Sequence, residues 1–449
     1  MEKEERDLAS DHSKIAFMKV AWCTPFNVKS AIGHFSFLIT KELAHRDLEV
    51  TIFSTELDEL STDRIECDLP VRRLDVLKRA GDADFDVLVY NIGDHYPYHC
   101  GVLDILEQQK PGIGIFHDCS IVNLFYGFVH GTSINEDEWE QILVETHGPS
   151  APQAFRNYSS GSLSLEHAVR SIPMLGWLAS KVWAAVAHSR FYAGDLAEAC
   201  PGPVTSIHLS YQPRTTHEVH PRLPPDGTIR LLTFGRVNAN KCYEEVIRSI
   251  ALNDHLKANC CYIIAGSYEA SYGTHIKQLA RDLGVTAQLL GEVSDDELAR
   301  LMAEADIICC LRKPILEGGS ASAIEALHSG NPVIVADAGF YHELPDEFLI
   351  KVPPTVEPKA LAAVLTDLSN DIPGAKRAAA RSRQWATDYF APSRYCDELV
   401  SFFEEFITAK PLLDLGSRVG KQLAEIGLRP DDPVIKNVAG TIEQLFGQS

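Results

Sequence analysis

Two basic residues, Arg236 and Lys241, follow an apolar run in the second half of the chain. The run TIRLLTFGR (228–236) predicts a buried strand, and the helical pattern CYEEVIRSIALN begins soon after it. Such a loop lies at the carboxyl edge of a parallel sheet, where open α/β sheets bind ligands. Two cations there can hold a diphosphate. Two solvated surface cations would give the same pattern, so this fragment alone leaves both interpretations open.

Two acidic residues, Glu317 and Glu325, flank a second candidate loop within LEGGSASAIEAL (316–327). The glycines after Glu317 would let the backbone approach a ligand closely. Ser320 is a suitable N-cap, and the helix it begins would offer free N–H donors to a phosphate. Carboxylates repel phosphate but form good hydrogen bonds with sugar and ribose hydroxyls. The alternative is that Glu317 is an ordinary loop residue and Glu325 a charge on a helix surface.

Motifs for other chemistries are missing or misplaced in the sequence. No G-x-G-x-x-G follows the first predicted strand and no G-x-x-x-x-G-K-[ST] occurs, which argues against a dinucleotide oxidoreductase and a P-loop phosphotransferase. Asp82-Ala83-Asp84 spells the D-x-D by which some enzymes hold a metal, but it precedes a strand, as a solvated turn would. The eleven cysteines include no C-x-x-C pair and no zinc spacing. We expect neither a metal nor a cofactor.

Apolar runs alternate with helical patterns along the chain, which is typical of parallel sheets covered by helices. A proline-bearing segment at 212–227 interrupts the alternation, and 449 residues exceed what one core usually serves. We therefore predict an α/β fold of two Rossmann-like domains facing a cleft, with extra C-terminal helices. The predicted ranges are a mobile tail at 1–17, an N-terminal domain at 18–211, a C-terminal domain at 228–391 and a helical extension at 392–449. In that extension we expect one helix, SRYCDELVSFFEEFI, and then two weaker segments around Lys421 and Gly440.

Composition narrows the function classes further. The formal net charge of -21 argues against a general nucleic-acid binder, which needs a basic surface. The opening MEKEERDLASDHSK has no apolar signal segment, and no stretch approaches the about 20 apolar residues of a membrane span. The cysteines fit a reducing compartment. We expect a cytoplasmic protein, with peripheral attachment to a membrane left open and the oligomeric state unassigned.

Taken together, the two loops resemble those of the retaining GT-B glycosyltransferases of family 4. The Glu-x7-Glu motif of that family is met by Glu317 and Glu325, and its loop cations by Arg236 and Lys241. YIIAGS, LLGEVSDDEL, DIICCL and HSGNPVIVADAGFYHELPD also fit the family's C-terminal half. The likeness covers most of 19–410 and is stronger in the C-terminal half.

The resemblance implies an activity and a set of site residues. Such enzymes move a sugar from a nucleotide diphosphate-sugar with retention of configuration and without a metal, and a saccharide or lipid-linked saccharide acceptor follows from family habit. The implied catalytic residues are His117, Asp118, Arg236, Lys241 and Glu317. The implied donor-binding residues are Ala31, Gly33, Gly235, Arg236, Lys241, Gly266, Val293, Glu317, Gly318, Gly319, Ser320, Ala321 and Glu325.

Roles within this set follow from the same resemblance. The loop cations would bind the diphosphate, Glu325 the ribose, and Glu317 with the N–H groups after it the transferred sugar. FHDCS (116–120) would lie near the acceptor and the sugar. His117 has an ordinary alternative, a histidine buried at a strand end with its ring nitrogens satisfied by the backbone.

Two other function classes stay open at this point. A nucleotide-sugar epimerase or a phosphorylase could use the same scaffold. A non-catalytic nucleotide-sugar-binding protein would account for the acidic composition and the extra helices. The sequence identifies neither the donor base and sugar nor the acceptor and the linkage formed.

Overall fold

The computed structural model describes residues 18–213 (without 61, 82, 83 and 109), 228–428, 432–435, 437, 438 and 440. The predicted tail at 1–17 lies outside the described residues. So do 214–227 and two residues of the D-x-D sequence, Asp82 and Ala83.

Seven parallel strands form the first sheet, in the order β3-β2-β1-β4-β5-β6-β7. In β1, Trp22 pairs with Ile52 on one side and Val89 on the other. The central strands are nearly continuous apolar runs because helices cover both faces of the sheet, whereas the two edge strands are short and more polar. Their bounds are β1 (Lys19–Thr24), β2 (Glu49–Ser54), β3 (Val71–Arg73), β4 (Val87–Ile92), β5 (Ile113–Phe116), β6 (Ala184–Ala187) and β7 (Val204–Ser206).

Nine α-helices accompany this sheet within the described part of 18–213. They include the helices that follow β1, β4 and β5, whose N-termini lie at the carboxyl edge of the sheet. Their bounds are α1 (Ala31–Ala44), α2 (Leu74–Arg79), α3 (Tyr96–Glu107), α4 (Val122–Gly131), α5 (Glu136–His147), α6 (Ala151–Ser159), α7 (Leu165–Ser171), α8 (Leu175–Ala179) and α9 (Arg190–Ala199).

Six parallel strands form the second sheet, in the order β10-β9-β8-β11-β12-β13. The strands are β8 (Ile229–Phe234), β9 (Cys260–Ala265), β10 (Ala287–Gly291), β11 (Ile307–Cys309), β12 (Val333–Ala336) and β13 (Ile350–Val352). The helices are α10 (Tyr243–Ala251), α11 (Asp254–Asn259), α12 (Ala270–Leu283), α13 (Asp295–Glu304), α14 (Ala321–Ser329), α15 (Phe340–Glu343), α16 (Pro358–Asn370), α17 (Ile372–Ala379) and α18 (Arg381–Tyr389). Two parallel α/β sheets confirm the predicted fold class.

Capping side chains explain where several helices begin. Ser30, Ser294 and Ser320 each accept a hydrogen bond from the backbone N–H three residues further on. Asn135 and Glu138 cap α5 reciprocally. The caps of α1 and α14 follow β1 and β11, so both helix N-termini lie at carboxyl edges of the sheets.

The last long helix, α19 (Pro392–Glu425), returns from the second sheet to pack on α1 of the first domain. The Cys396 thiol donates to the Ile39 carbonyl at 3.7 Å. The ring of Tyr395 meets Phe35 edge to face, with ring centroids 5.2 Å apart. One apolar cluster therefore runs from α1 through α19 into the second domain.

This helix is longer than the sequence pattern suggested. Lys421, expected in a separate weaker segment, belongs to the same 34-residue helix. Pro411 lies inside it, but a proline removes a single backbone donor, and the turns before it are held by buried apolar residues.

We expect Phe403→Ala to lower the free energy of unfolding by about 3–5 kcal/mol, because Phe403 is fully buried in the cluster that both domains share. Urea unfolding followed by tryptophan fluorescence measures the loss. Ile426→Ala is the control: Ile426 is 74% exposed just after the same helix, and a change within about 0.5 kcal/mol is expected. Equal losses in the two variants would contradict this account of the core.

Candidate functional site

Lys241 is a buried cation at the carboxyl end of β8. It closes a short 3-10 turn (Ala239–Lys241), is 8% exposed, and its Nζ donates to the Phe234 carbonyl at 2.9 Å. Gly235 makes room for it: φ there is +89°, and a Cβ would lie 2.5 Å from Nζ. The ammonium group is therefore folded back over the strand end.

The surroundings of Lys241 disfavour its charge. Burial, and then the positive charge of Arg312, lower its pKa to about 7, although Glu317 acts in the opposite direction. The amine is therefore only partly protonated at neutral pH. An anion bound beside it would favour the protonated form.

Arg312, which the sequence analysis missed, lies beside this lysine. The residue is 4% exposed, and its Nε lies 2.9 Å from Oε1 of Glu317. Its Nη2 donates to the Ser322 hydroxyl at 2.9 Å, and Nη1 to the Leu311 carbonyl at the same distance. The only signal in the sequence was an arginine soon after a buried strand, in DIICCLRKP. The described residues thus place a second cation at the predicted diphosphate position.

Glu317 is held from two sides. Its Oε1 pairs with Arg312 and also accepts a hydrogen bond from the Tyr341 hydroxyl at 2.9 Å. Burial alone would raise the pKa of this carboxyl, but Arg312 and then Lys241 lower it below its ordinary value. The side chain, 27% exposed, is a carboxylate at neutral pH.

The N-terminus of α14 follows directly after Glu317. Ser320 caps it by accepting from the N–H of Ala323, and Ala321 is the first helical residue. Its free N–H groups lie in the segment that carries Glu317. Glu325 lies half-buried on the same helix, beyond its first turn.

Gly318 and Gly319 have a reason in the protein itself. A Cβ on Gly318 would overlap the hydroxyl of Tyr192, and one on Gly319 would lie 2.7 Å from Cβ of Leu209. Tyr192 and Leu209 belong to the N-terminal half of the chain. The sequence analysis expected these glycines to let a ligand approach the backbone. The structure shows that they also let the N-terminal domain approach it.

A short β-bridge joins the two domains at this point. The N–H of Gly318 donates to the His117 carbonyl at 2.7 Å, and that of Cys119 to the Leu316 carbonyl at 2.9 Å. Asp118 and Glu317 are the paired residues. The two predicted site segments, far apart in the sequence, are therefore in backbone contact.

The His117 ring is fully engaged with other side chains. Its Nε2 lies 3.0 Å from Oδ1 of Asn91, and its Nδ1 lies 3.1 Å from Nε2 of His188. Burial and then His188 lower the pKa of His117 well below its ordinary value, so the ring is neutral. His117 is thus buried at a strand end, as in the ordinary alternative, but its ring partners are side chains and not the backbone groups expected there.

Asp118 is a carboxyl group with an unusual affinity for its proton. Its Oδ2 accepts from the N–H of Asp94 at 2.7 Å. Burial, and then the Asp94 carboxylate, raise the pKa of Asp118 to about 8, and burial raises that of Asp94 to about 7. Asp94 itself accepts from the N–H groups of Asn123 and Leu124 at the start of α4. These two acids form the N-terminal wall of the cleft next to Glu317.

Arg236 lies on the rim of the cleft and not with Lys241. Its side chain is 73% exposed, and its guanidinium is 4.0 Å from the Glu269 carboxylate. After burial, the charge of Arg236 is the next cause of the lowered pKa of His95, which follows β4. Arg236 therefore faces the N-terminal domain across the cleft.

The remaining predicted donor residues line or support the same edge. Gly266 has φ +147° and packs so closely on Gly235 that a Cβ would overlap its carbonyl. Val293 is partly buried against the core. Ala31 is the exposed first residue of α1, and a Cβ on Gly33 would lie 2.7 Å from the carbonyl oxygen of Pro25.

The described residues contain neither a metal-binding group of side chains nor a membrane-spanning helix. In the described part of the chain, no group of three or more His, Cys, Asp and Glu side chains is arranged to hold a metal ion. Among the helices described, none is long and apolar enough to cross a membrane.

Two Rossmann-like domains with their strand ends facing one cleft define the GT-B class of protein. Residues 216–385 match the family model for glycosyl transferases group 1. A stretch of 135 residues is 28% identical to the MMP alpha-(1->4)-mannosyltransferase of Mycolicibacterium hassiacum, over 29% of this chain and 32% of that protein. The chain thus matches about a third of the length of this curated relative.

Solved structures share the whole fold at low sequence identity. Sucrose-phosphate synthase from Thermosynechococcus elongatus superimposes with a TM-score of 0.62 at 14% identity, over 87% of this chain and 100% of that one. Anabaena HepE in complex with UDP-glucose gives 0.57 at 14% identity, over 86% and 99%. These likenesses show that both domains and their arrangement are those of GT-B proteins.

We expect Gly318→Ala to loosen the contact between the domains, because the added methyl overlaps Tyr192, whose hydroxyl is fixed by the Phe116 carbonyl and the His188 N–H. The melting temperature should fall by several degrees, roughly what a loss of 1–3 kcal/mol gives. Gly420→Ala is the matched control, since a Cβ there meets nothing within 4 Å. Tyr192→Phe loses the two hydrogen bonds of the hydroxyl, so it serves as its own reference: Gly318→Ala should cost less in the Tyr192→Phe background than in the native protein. An equal cost in both backgrounds would locate the strain elsewhere.

Proposed function

We propose that the protein is a retaining, metal-independent glycosyltransferase that moves a sugar from a nucleotide diphosphate-sugar to a hydroxyl of an acceptor. The observation that carries the proposal is the pair of buried cations, Lys241 and Arg312, next to Glu317 at the N-terminus of α14. This cluster lies within the segment that matches the family model for glycosyl transferases group 1.

Electrostatics account for the central step. The bond between the anomeric carbon and the diphosphate oxygen breaks, that oxygen gains negative charge, and the acceptor oxygen bonds to the same carbon. The acceptor's proton passes to the leaving phosphate, which thereby acts as the base. The acceptor oxygen bonds to the anomeric carbon directly, and the step includes no enzyme nucleophile. Lys241 and the N–H groups at the start of α14 would stabilise the developing charge. Arg236, on the rim of the cleft, would add a further positive charge.

Carboxylates would bind the hydroxyl groups of the donor. Glu317, fixed through Oε1, keeps Oε2 for the transferred sugar, and Glu325 is assigned to the ribose. On the opposite wall of the cleft, we assign Asp118 to contacts with the acceptor and the sugar. Closure of the domains over these groups would exclude water, which would otherwise hydrolyse the donor.

The donor and the acceptor are proposed by class. HepE is a relative of the same fold seen with UDP-glucose, which favours a nucleoside diphosphate hexose as the donor. A saccharide or lipid-linked saccharide is the proposed acceptor, and the cytoplasm the proposed location. A thermal-shift screen against UDP, GDP, ADP and TDP, with and without a chelator, identifies the base and tests metal independence together. Absence of any stabilisation by all four nucleotides would contradict the proposal.

We expect Lys241→Ala to lower kcat by roughly 100- to 1,000-fold, because a donor that stabilises the leaving diphosphate is lost. Transfer is measured with the nucleotide sugar selected by the thermal-shift screen. Lys359→Ala, at an exposed position on α16, is the control and should keep the native rate. Conversion of the donor without any acceptor would instead identify an epimerase.

The affinity for the intact nucleotide sugar should fall as the pH rises. In the ligand-free protein the pKa of Lys241 is about 7. Because a bound diphosphate would keep the amine protonated, binding takes up a proton above pH 7. The Kd should then increase about tenfold per pH unit between pH 7 and 9. Calorimetric titrations across this range measure it, and Lys241→Arg, always protonated, should abolish the slope. A slope that persists in Lys241→Arg would assign the proton to another group.

A further inference from the structure

Arg312 is a buried charge that the diphosphate motifs do not include. Its guanidinium contacts three groups of the site loop: the Glu317 carboxylate, the Ser322 hydroxyl and the Leu311 carbonyl. Taking a guanidinium out of water is costly unless it is paired and hydrogen-bonded. Here, at 4% exposure, Nη1 and Nη2 are hydrogen-bonded, and Nε makes no hydrogen bond but lies at ion-pair distance from the Glu317 carboxylate. Such a residue orients what it touches.

The charges of the cluster are unbalanced before a donor binds. Arg312 and Glu317 neutralise each other at 2.9 Å, so Glu317 is not available as a full counter-ion for Lys241. The groups that face Lys241 are Arg312, Cys310 and Glu317, and Arg312 has the largest effect among them. A dianionic diphosphate would supply the missing negative charge.

We propose that Arg312 is a positioning residue of the donor site, which fixes Glu317 toward the transferred sugar and reserves Lys241 for the diphosphate. The inference rests on the proposed function for the identity of the ligand. Its geometric basis, a guanidinium between the Glu317 carboxylate and the Ser322 hydroxyl in the first turn of α14, is independent of that function. Tyr341 shares the task, because its hydroxyl binds the same Oε1 of Glu317.

A titration without ligand tests the electrostatic half of the proposal. The protein is labelled with ¹³C at lysine Cε, and the Lys241 signal is assigned by its loss in Lys241→Arg. In Arg312→Gln the midpoint of this signal should rise by about one pH unit or more, because a repelling charge is gone and Glu317 is released. In Arg312→Lys, which keeps the charge, it should stay within a few tenths of a unit. An unchanged midpoint in Arg312→Gln would overturn the proposal.

Kinetics of the full chain test the positioning half. Arg312→Lys keeps the charge but loses the planar fork, so kcat should fall at least about tenfold while KM changes less than about threefold. In the double variant Arg312→Lys with Glu317→Gln, kcat should be only slightly lower than in Glu317→Gln alone, because both residues act through the Glu317 carboxylate. Arg418→Gln, at a position 75% exposed on α19, is the control with native kinetics. Additive losses in the double variant would overturn the positioning role.

The two proposals fail in different ways. A native protein that binds no nucleotide sugar would refute the proposed function, whereas the ligand-free titration would still decide whether Arg312 controls Lys241. Melting temperatures of all variants are compared with the native protein. If Arg312→Gln does not fold, the kinetic measurements on Arg312→Lys, which keeps the charge, decide the proposal.

Discussion

The backbone contact between 117–119 and 316–318 is the constraint on which the rest of the structure depends. It joins the carboxyl edges of two sheets that are built from separate halves of the chain. Because the same segments carry Asp118 and Glu317, this contact also brings the two predicted site residues together. The two glycines after Glu317 are needed at this contact, since side chains there would collide with Tyr192 and Leu209.

Charge burial is the second feature of the site. Lys241 and Arg312 lie in a protein whose formal net charge is -21, so positive charge is concentrated where an anion would be bound. Their mutual repulsion is relieved in part by Glu317 and would be relieved further by a diphosphate. Preorganised cations of this kind need no rearrangement when charge develops on a leaving group. On the opposite wall, Asp94 and Asp118 hold their protons more tightly than ordinary carboxyl groups do.

Helix α19 gives the two domains a common core. It starts after the helices of the second domain and ends its buried part against α1 of the first. Both domains therefore share apolar contacts through this helix. Because α19 contacts both domains, it helps to fix the position of one domain relative to the other. A site built from loops of both domains requires such a fixed position.

Local patterns in the sequence determined the fold class, the alternation of strands and helices, and the loops that carry Lys241, Ser320 and Glu317. These depend on apolar periodicity, caps and turns, which are written in neighbouring residues. Only the tertiary structure decided the partners of those loops. Arg312 has no local pattern that sets it apart from a surface arginine. The pKa of His117 is lowered by burial and then by His188, and its ring contacts Asn91 and His188, which are distant in sequence. Burial and charge pairing arise from contacts between distant segments, and a linear pattern does not contain those contacts.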